Sequence, residues 1–179
     1  MNRVAQFSKV SYEQFRKDWF DTFGNKYNEM DDDVIDSIIR SIYESIKLPK
    51  RATAGSMGYD FFSPCNLMIP VDKSVKIPTG IKCNIDVGWG MYVHPRSSYG
   101  FKYGVHLANT VGVIDADYYN NKNNEGHIFI KLVNDSTLAS LMDIKSGDAF
   151  CQGIFTPYGI TYDDNVSEER LGGIGSTGK

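Results

Sequence analysis

The sequence predicts a mainly β domain preceded by two helices. From about residue 50 the chain consists of short runs rich in β-branched and aromatic residues, which are separated by Gly, Pro, Asn and Asp. Helical periodicity is confined to residues 11–46. The length of 179 residues, with 41% hydrophobic and 23% charged residues, fits one folded domain with a short extension. Strands at this spacing without intervening helices indicate an antiparallel sandwich or barrel.

The first helix is predicted to begin after Ser11. Ser11 and Gln14 form an S-x-x-Q capping box, in which each residue satisfies an orphan backbone N–H group. Aromatic residues follow at spacings that gather on one helical face: Tyr12, Phe15, Trp19 and Phe20.

A second helix is predicted to begin at the acidic cluster Asp31–Asp33, because carboxylates stabilise the positive end of the helix dipole. Gly24–Asn28 is predicted to form the turn between the helices, and Pro49 follows the end of the second one. A single apolar stripe runs along that helix, formed by Ile35, Ile38, Ile39, Ile42 and Ile46. Such a short hairpin must pack on the rest of the chain or on another subunit.

Six strands are predicted after the helices, and a polar, glycine-rich tail ends the chain. The sequence therefore predicts three parts: a helical extension at 1–48, a β domain at 49–162 and a mobile arm at 163–179. The predicted strands are Leu67–Val71, Lys76–Ile85, Gly90–His94, Thr110–Ile114, Gly126–Val133 and Ala149–Thr156.

Charge and composition exclude several classes of function. The formal charge of −3 argues against a nucleic-acid-binding surface, which needs clustered positive charge. No apolar run is long enough for a membrane span or a signal peptide. The three cysteines are widely spaced, which fits reduced thiols of a cytoplasmic protein. The three histidines share no spacing typical of metal ligands, so we expect the histidines to be structural.

Five stretches combine glycine with polar side chains where a plain β core would have neither. Taken singly, each has an ordinary interpretation as a turn, a strand end or a cap. They are Ala54–Asp60 (AGSMGYD), Pro95–Lys102 (PRSSYGFK), Gly112–Tyr118 (GVIDADY), Gly147–Gln152 (GDAFCQ) and Arg170–Gly178 (RLGGIGSTG).

In this order, the five stretches resemble the five motifs of the trimeric dUTPase family. The resemblance covers about residues 54–178. It implies a distorted jelly-roll subunit of the β-clip type and a symmetric homotrimer whose active sites lie between subunits. It also implies hydrolysis of dUTP to dUMP and pyrophosphate with Mg²⁺ as cofactor, without nucleic-acid or membrane partners.

The resemblance assigns roles to individual residues. Asp115 matches the catalytic carboxylate that deprotonates the attacking water, and Tyr118 matches the aromatic residue that packs on the deoxyribose. The segment 107–113 matches the hairpin that reads uracil, with Asn109 and Gly112 at the base. The phosphate contacts are implied for Arg96, Ser97, Ser98, Gln152, Arg170, Ser176 and Thr177, and Asp60 matches the residue that holds Mg²⁺ through water.

Four features depart from the family pattern. Ile174 stands where a Phe usually stacks on uracil, so we expect weaker stacking or an upstream aromatic such as Tyr158 or Tyr162 in its place. Ala149 replaces an Arg of the fourth motif. The loop at 119–126 is longer than the usual turn, and the helical extension lies outside the common core.

Two alternatives to dUTP hydrolysis stay open at this point. A dCTP deaminase shares the fold, but its chemistry relies on a Glu, whereas IDADY supplies an Asp at position 115. A nucleotide-binding regulatory module would use the helical extension to contact another protein, and the apolar stripes of that extension motivate this hypothesis.

Overall fold

The computed structural model describes residues 2–137, 141–168, 170 and 172. The prediction of a mainly β fold with two N-terminal helices is confirmed. The helices are α1 (Tyr12–Phe23), α2 (Asp32–Ser45) and α3 (Ser97–Tyr103), and two short 3₁₀ helices span Gly24–Tyr27 and Ala116–Tyr118. The strands are β1 (Ala5–Lys9), β2 (Tyr59–Phe62), β3 (Leu67–Ile69), β4 (Lys73–Pro78), β5 (Ile81–Ile85), β6 (Trp89–Pro95), β7 (His106–Leu107), β8 (Gly112–Ile114), β9 (Phe129–Asn134), β10 (Met142–Ile144) and β11 (Ala149–Pro157).

Ser11 caps α1, but only half of the predicted capping box forms. The Ser11 hydroxyl accepts from the Gln14 N–H at 3.1 Å. The Ser11 N–H, however, donates to the carboxylate of Glu125 at 2.9 Å. The Gln14 side chain donates instead to Asp18. The start of α1 is therefore attached to a loop more than a hundred residues further along the chain.

Both helices bury one face against the β core. Phe15 and Trp19 of α1 are buried, as are Ile35 and Ile39 of α2. Phe20 is 46% exposed and lies outside the buried face, contrary to the predicted grouping. The helices thus form part of the same hydrophobic core as the strands.

The strands form two larger antiparallel sheets and two strand pairs. The four-stranded sheet has the order β2-β11-β6-β8, and the three-stranded sheet has the order β4-β9-β7. The pairs are β1 with β5 and β3 with β10. Since β1 precedes α1 and pairs with β5 along its whole length, the N-terminal segment enters the β fold before the helices begin.

The strand predicted over Lys76–Ile85 is wrong as a single element, because a turn at Thr79–Gly80 divides it into β4 and β5. Gly80 has φ of +73°, which favours glycine, and its N–H donates to the ring of His127. The Thr79 hydroxyl bonds the carbonyl of Ile128. Five further elements, β1, β2, β7, β10 and α3, are absent from the sequence-based prediction.

His127 is fully buried where α1 meets this turn, as expected for a structural histidine. Its Nε2 accepts from the Gly80 N–H at 2.7 Å, so the proton lies on Nδ1, which contacts Oδ2 of Asp18 at 2.6 Å. Burial lowers the pKa of His127 and the contact with Asp18 opposes this, with a net decrease below the ordinary value of 6.5. The imidazole is therefore neutral in the folded protein.

The three thiols are free, as predicted, and Cys83 and Cys151 are buried. Burial raises the pKa of the Cys83 thiol to about 12, which suppresses the reactive thiolate.

Within the described part of the chain, no helix has the length and apolar character needed to cross a membrane.

Stability is predicted to fall with decreasing pH because of His127. Below pH 6.5 the unfolded chain binds a proton at this residue and the folded chain does not, so the free energy of unfolding decreases by up to about 1.4 kcal/mol per pH unit. Urea unfolding at fixed protein concentration between pH 5 and 8 measures this slope. His127→Asn is expected to flatten it, whereas His106→Asn, at an exposed position, is expected to leave it unchanged. Equal slopes in both variants would contradict the assignment.

Candidate active site

Three of the predicted site residues, Asp60, Arg96 and Gln152, lie together at the four-stranded sheet. Asp60 of β2 is opposite Gln152 of β11. The Arg96 side chain pairs with the Asp60 carboxylate at 3.3 Å. Gly58 leaves room for Gln152, since a Cβ atom at position 58 would lie 2.3 Å from the Gln152 side-chain oxygen. Three of the five motifs thus meet at one end of this sheet.

Ser97 and Ser98 form the start of α3, directly after Arg96. Arg96 has extended backbone geometry as the N-cap of α3, and its own N–H donates to Phe150. Arg96, Ser98 and Lys102 line an open cleft of about 370 Å³ beside the sheet. The carboxylates of Asp143 and Asp148 line it as well, so the cleft combines two cationic and two anionic side chains around the Ser98 hydroxyl.

A second group of predicted residues surrounds the 3₁₀ helix that follows β8. Asp115 is the N-cap of this helix, and its side chain is 52% exposed. The Arg170 guanidinium bonds to Asp115 and also to Asp117, at 2.8 Å for the latter. It lies 5.7 Å from the centre of the Tyr118 ring. Asp117 stands in the same IDADY motif, but the family resemblance assigns it no role in the reaction.

Tyr118 is buried and its hydroxyl is fixed by a loop that we call the asparagine loop, residues 119–127. The hydroxyl donates to the His127 carbonyl and accepts from the Asn124 side chain, each at 2.9 Å. Burial raises the pKa of Tyr118, which the bond from Asn124 and the charge of Arg170 partly offset. The phenol is therefore protonated and donates its hydrogen bond to the carbonyl.

The asparagine loop folds back tightly on Tyr118. The Asn121 side chain donates to the Tyr118 carbonyl at 2.8 Å and to Asn124. Gly126 has φ of +78°, and a Cβ atom there would lie 2.6 Å from the backbone carbonyl oxygen of Tyr118. The length of this loop is evident from the sequence, but the bonds that Asn121 and Asn124 make to Tyr118 are not.

The segment predicted to read uracil is a narrow turn rather than a regular two-stranded hairpin. Its strand β7 pairs with β9, whereas β8 pairs with β6, and one isolated bridge joins Leu107 to Thr110. Asn109 lies in the turn between them. Gly112 begins β8, where a Cβ atom would lie 3.1 Å from Val93.

Asp115 also borders a small cleft of about 130 Å³. Gly90, Tyr92, Val113 and Tyr158 line it. Of the two upstream aromatic candidates, Tyr158 shares this cleft with Asp115, whereas Tyr162 is fully exposed.

The two groups of residues lie far apart within one chain. Ile114 is opposite Met91 in the register of β8 and β6, so Asp115 lies beside Gly90. Arg96 directly follows β6, six residues beyond Gly90, which corresponds to about 20 Å of extended chain. One subunit therefore does not bring Asp115 close to the group around Arg96.

The remaining predicted residues, Ile174, Ser176 and Thr177, lie outside the described residues. No cluster of three His, Cys, Asp or Glu side chains suited to a metal ion occurs among residues 2–137, 141–168, 170 and 172. A cation at this site would accordingly depend on other ligands for most of its coordination.

Comparison of the sequence with known proteins gives consistent matches. A family model described as dUTPase matches residues 44–178. The deoxyuridine 5′-triphosphate nucleotidohydrolase of Lactococcus lactis is 41% identical over 135 residues, covering 74% of this chain and 89% of that protein. The corresponding protein of Desulfitobacterium hafniense is 37% identical over 140 residues, covering 74% and 87%.

Solved structures agree with these matches. The crystal structure of dUTPase from Streptococcus mutans superimposes with a TM-score of 0.58 at 42% identity, covering 66% of this chain and 90% of that chain. A dUTPase from phage phi11 of S. aureus gives a TM-score of 0.60 at 17% identity and covers 93% and 97%. The latter similarity supports the fold alone. The family match begins at residue 44, near the end of α2, so nearly all of the helical segment precedes it.

Gly126→Ala is predicted to destabilise the protein more than Gly88→Ala. Both glycines have positive φ, but a Cβ atom at Gly88 meets no atom within 4 Å. Backbone strain alone is expected to cost about 1 kcal/mol at Gly88. The clash with Tyr118 is expected to add about 2 kcal/mol at Gly126. Chemical denaturation of both variants measures the difference, and equal losses would show that the loop does not press on Tyr118.

Proposed function

The chain belongs to the dUTPase family and hydrolyses dUTP to dUMP and pyrophosphate, and we propose that Asp115 activates the water for this reaction. The exposed position of the Asp115 carboxylate, at the end of β8 beside Tyr118, carries this proposal. The dUTPase names of the relatives favour this reaction over the deamination of dCTP.

Asp115 acts as the general base of the reaction. Water is a weak nucleophile at neutral pH, and a carboxylate that takes its proton contributes typically about 10²- to 10⁴-fold to the rate. The activated water attacks the α-phosphorus in line, the bond to the bridging oxygen breaks, and pyrophosphate leaves. In this structure Arg170 bonds the Oδ2 atom of Asp115, and the Oδ1 atom of the same carboxylate would accept the proton.

Arg96 and Arg170 bind the phosphates and stabilise the charge that develops during transfer. A planar guanidinium donates two hydrogen bonds to a phosphate at once. Because both guanidinium groups are in position before the reaction begins, they stabilise the transition state without further reorganisation. Ser97, Ser98 and Gln152 add neutral donors beside Arg96, and Ser176 and Thr177 of the arm complete the set of phosphate ligands.

Mg²⁺ is proposed as the cofactor, held mainly by the phosphate oxygens and water. Carboxylate oxygen suits this ion, and Asp60, beside Arg96 at the phosphate end of the site, would contact it through water. The bound cation would neutralise phosphate charge and hold the triphosphate in one conformation.

The sugar and base are selected by contacts near Tyr118. Its ring packs on the deoxyribose and leaves no space for a 2′-hydroxyl group. The turn at Asn109 and Gly112 reads the edge of uracil through backbone groups, which rejects other bases because they leave buried polar atoms unpaired. Ile174 covers the base in place of a stacking Phe, and Tyr158 is positioned to supply an aromatic contact from the cleft beside Asp115.

The active enzyme is proposed to be a cytoplasmic homotrimer with its sites between subunits. The separation of about 20 Å along β6 supports this arrangement, because Arg96 of one subunit and Asp115 of another then complete each site. The free, buried thiols support a reducing compartment.

Asp115→Asn is predicted to lower kcat for dUTP by about 10²- to 10⁴-fold with little change in KM, because the base is lost while binding contacts remain. Asp117→Asn is a matched control, since both carboxylates bond Arg170. It is expected to lower kcat by about fivefold or less, because an exposed ion pair contributes at most about 1 kcal/mol. Pyrophosphate release with Mg²⁺ measures both. Similar losses in the two variants would refute the role of Asp115 as base.

Mixing inactive subunits is predicted to restore activity. Asp115→Asn and Arg96→Ala chains are each expected to form nearly inactive trimers. When the two chains are coexpressed, each mixed trimer regains an intact site from an unmodified Arg96 and an unmodified Asp115 on different subunits. Activity above that of either variant alone at equal concentration would support shared sites, and its absence in verified mixed trimers would contradict them.

A further inference from the structure

The hydroxyl of Tyr118 connects the proposed sugar-binding ring to the asparagine loop. Both hydroxyl partners, the His127 carbonyl and the Asn124 amide, belong to this loop. A bond to the hydroxyl oxygen fixes the axis of a tyrosine ring, whereas rotation about that axis leaves the oxygen in place. The plane is favoured through the O–H bond, which lies in the plane of a phenol and points here at the His127 carbonyl. This favoured plane decides how closely a sugar can approach. The position of residues 124–127 therefore sets the orientation of the ring.

The loop is in turn anchored on its outer side to α1 and β5. Glu125 accepts from the N–H and hydroxyl groups of Ser11, and the Lys82 side chain donates to Glu125 and Asn120. The loop thus has two sides. Its inner side bonds Tyr118, and its outer side bonds the first helix and the neighbouring strand.

The strongest of these anchors is the buried ring of His127. Asp18 accepts from its Nδ1–H at 2.6 Å, and Gly80 donates to its Nε2 at 2.7 Å. Asp18 is 8% exposed and also accepts from Gln14. Because both ring nitrogens are occupied and no solvent reaches the ring, the backbone of His127, including the carbonyl that holds Tyr118, is fixed in place.

We infer that Asp18 and His127 are positioning residues for the reaction, which hold Tyr118 in the orientation that selects deoxyribose over ribose. The inference rests on the proposed contact of Tyr118 with the sugar. It gives the N-terminal helix a function in substrate selection, although α1 lies before the segment that the dUTPase family model matches. The path runs from Asp18 through the His127 ring and backbone to the Tyr118 hydroxyl.

The test compares the selectivity for dUTP over UTP, measured as the ratio of the two kcat/KM values. Asp18→Ala is expected to lower this ratio by about fivefold, the size typical of coupling through a contact network. The loss is expected mainly as a higher KM for dUTP and improved acceptance of UTP. Asp18→Asn keeps an acceptor oxygen for the His127 ring and is expected to restore most of the selectivity.

Asp36→Ala is the matched control in the helical segment. Asp36 accepts from Tyr12 and Arg16 and so joins α2 to α1, without contact to the asparagine loop. It is expected to leave the selectivity at the wild-type value. If Asp18→Ala and Asp36→Ala change only thermal stability and leave the ratio unaltered, the inference is overturned.

Two variants at Tyr118 separate this inference from the proposed function. Tyr118→Phe removes only the hydroxyl link and is expected to lower the ratio even where Asp18→Ala fails to assemble. An unchanged ratio in Tyr118→Phe overturns the inference. Tyr118→Ala removes the ring itself, and an unchanged ratio there overturns the proposed sugar contact and the inference together. A lower ratio in Tyr118→Ala with wild-type selectivity in Tyr118→Phe overturns the inference alone.

Discussion

The buried imidazole of His127 joins three parts of the molecule that are distant in sequence. One nitrogen bonds Asp18 of α1, the other bonds the Gly80 turn between β4 and β5, and its backbone carbonyl receives the Tyr118 hydroxyl. A buried polar group is tolerated only when its hydrogen bonds are satisfied, so these three parts must keep their relative positions. The N-terminal helices, the β core and the neighbourhood of Asp115, the proposed general base, are thereby constrained together.

A second constraint comes from the length of β6. Gly90 near its start and Arg96 directly after its end belong to different regions of the surface, and each region holds residues of the proposed site. The sheet is rigid along its strands, so no local rearrangement of side chains closes a gap of this size. The proposed trimer would supply what the single chain lacks, by joining unlike faces of neighbouring subunits.

Sequence patterns predicted the features that depend on local chemistry. Ser11 at the start of α1 and the isoleucine stripe of α2 are local signals, and the structure has both helices. The short strands β1, β2 and β10 were missed because their stability comes from partners far along the chain, which periodicity does not reveal. The division of Lys76–Ile85 into two strands depends on the approach of His127 to Gly80, a contact across 47 residues.

The same distinction applies to the candidate site. The ordered motifs located Asp115, Tyr118, Arg96 and Asp60, because each motif is contiguous in sequence. The support of Tyr118 by Asn124 and His127 was not predicted, since an asparagine-rich loop is an ordinary turn by composition. The role of this loop in holding Tyr118 depends on which part of the chain the loop packs against, and composition does not show that. The hypothesis that the helices serve only a partner is weakened by their shared core with the strands.

The position of β1 has a consequence for any attempt to shorten the protein. Because its five residues precede α1 and pair with β5, the two helices interrupt the β fold and do not extend from a free end. Truncation from the N-terminus strips the backbone partners from β5 and leaves an open edge prone to self-association. A minimal enzyme requires instead an internal excision that rejoins Val10 to the chain near Pro49, together with polar substitutions on the core surface that the two helices cover.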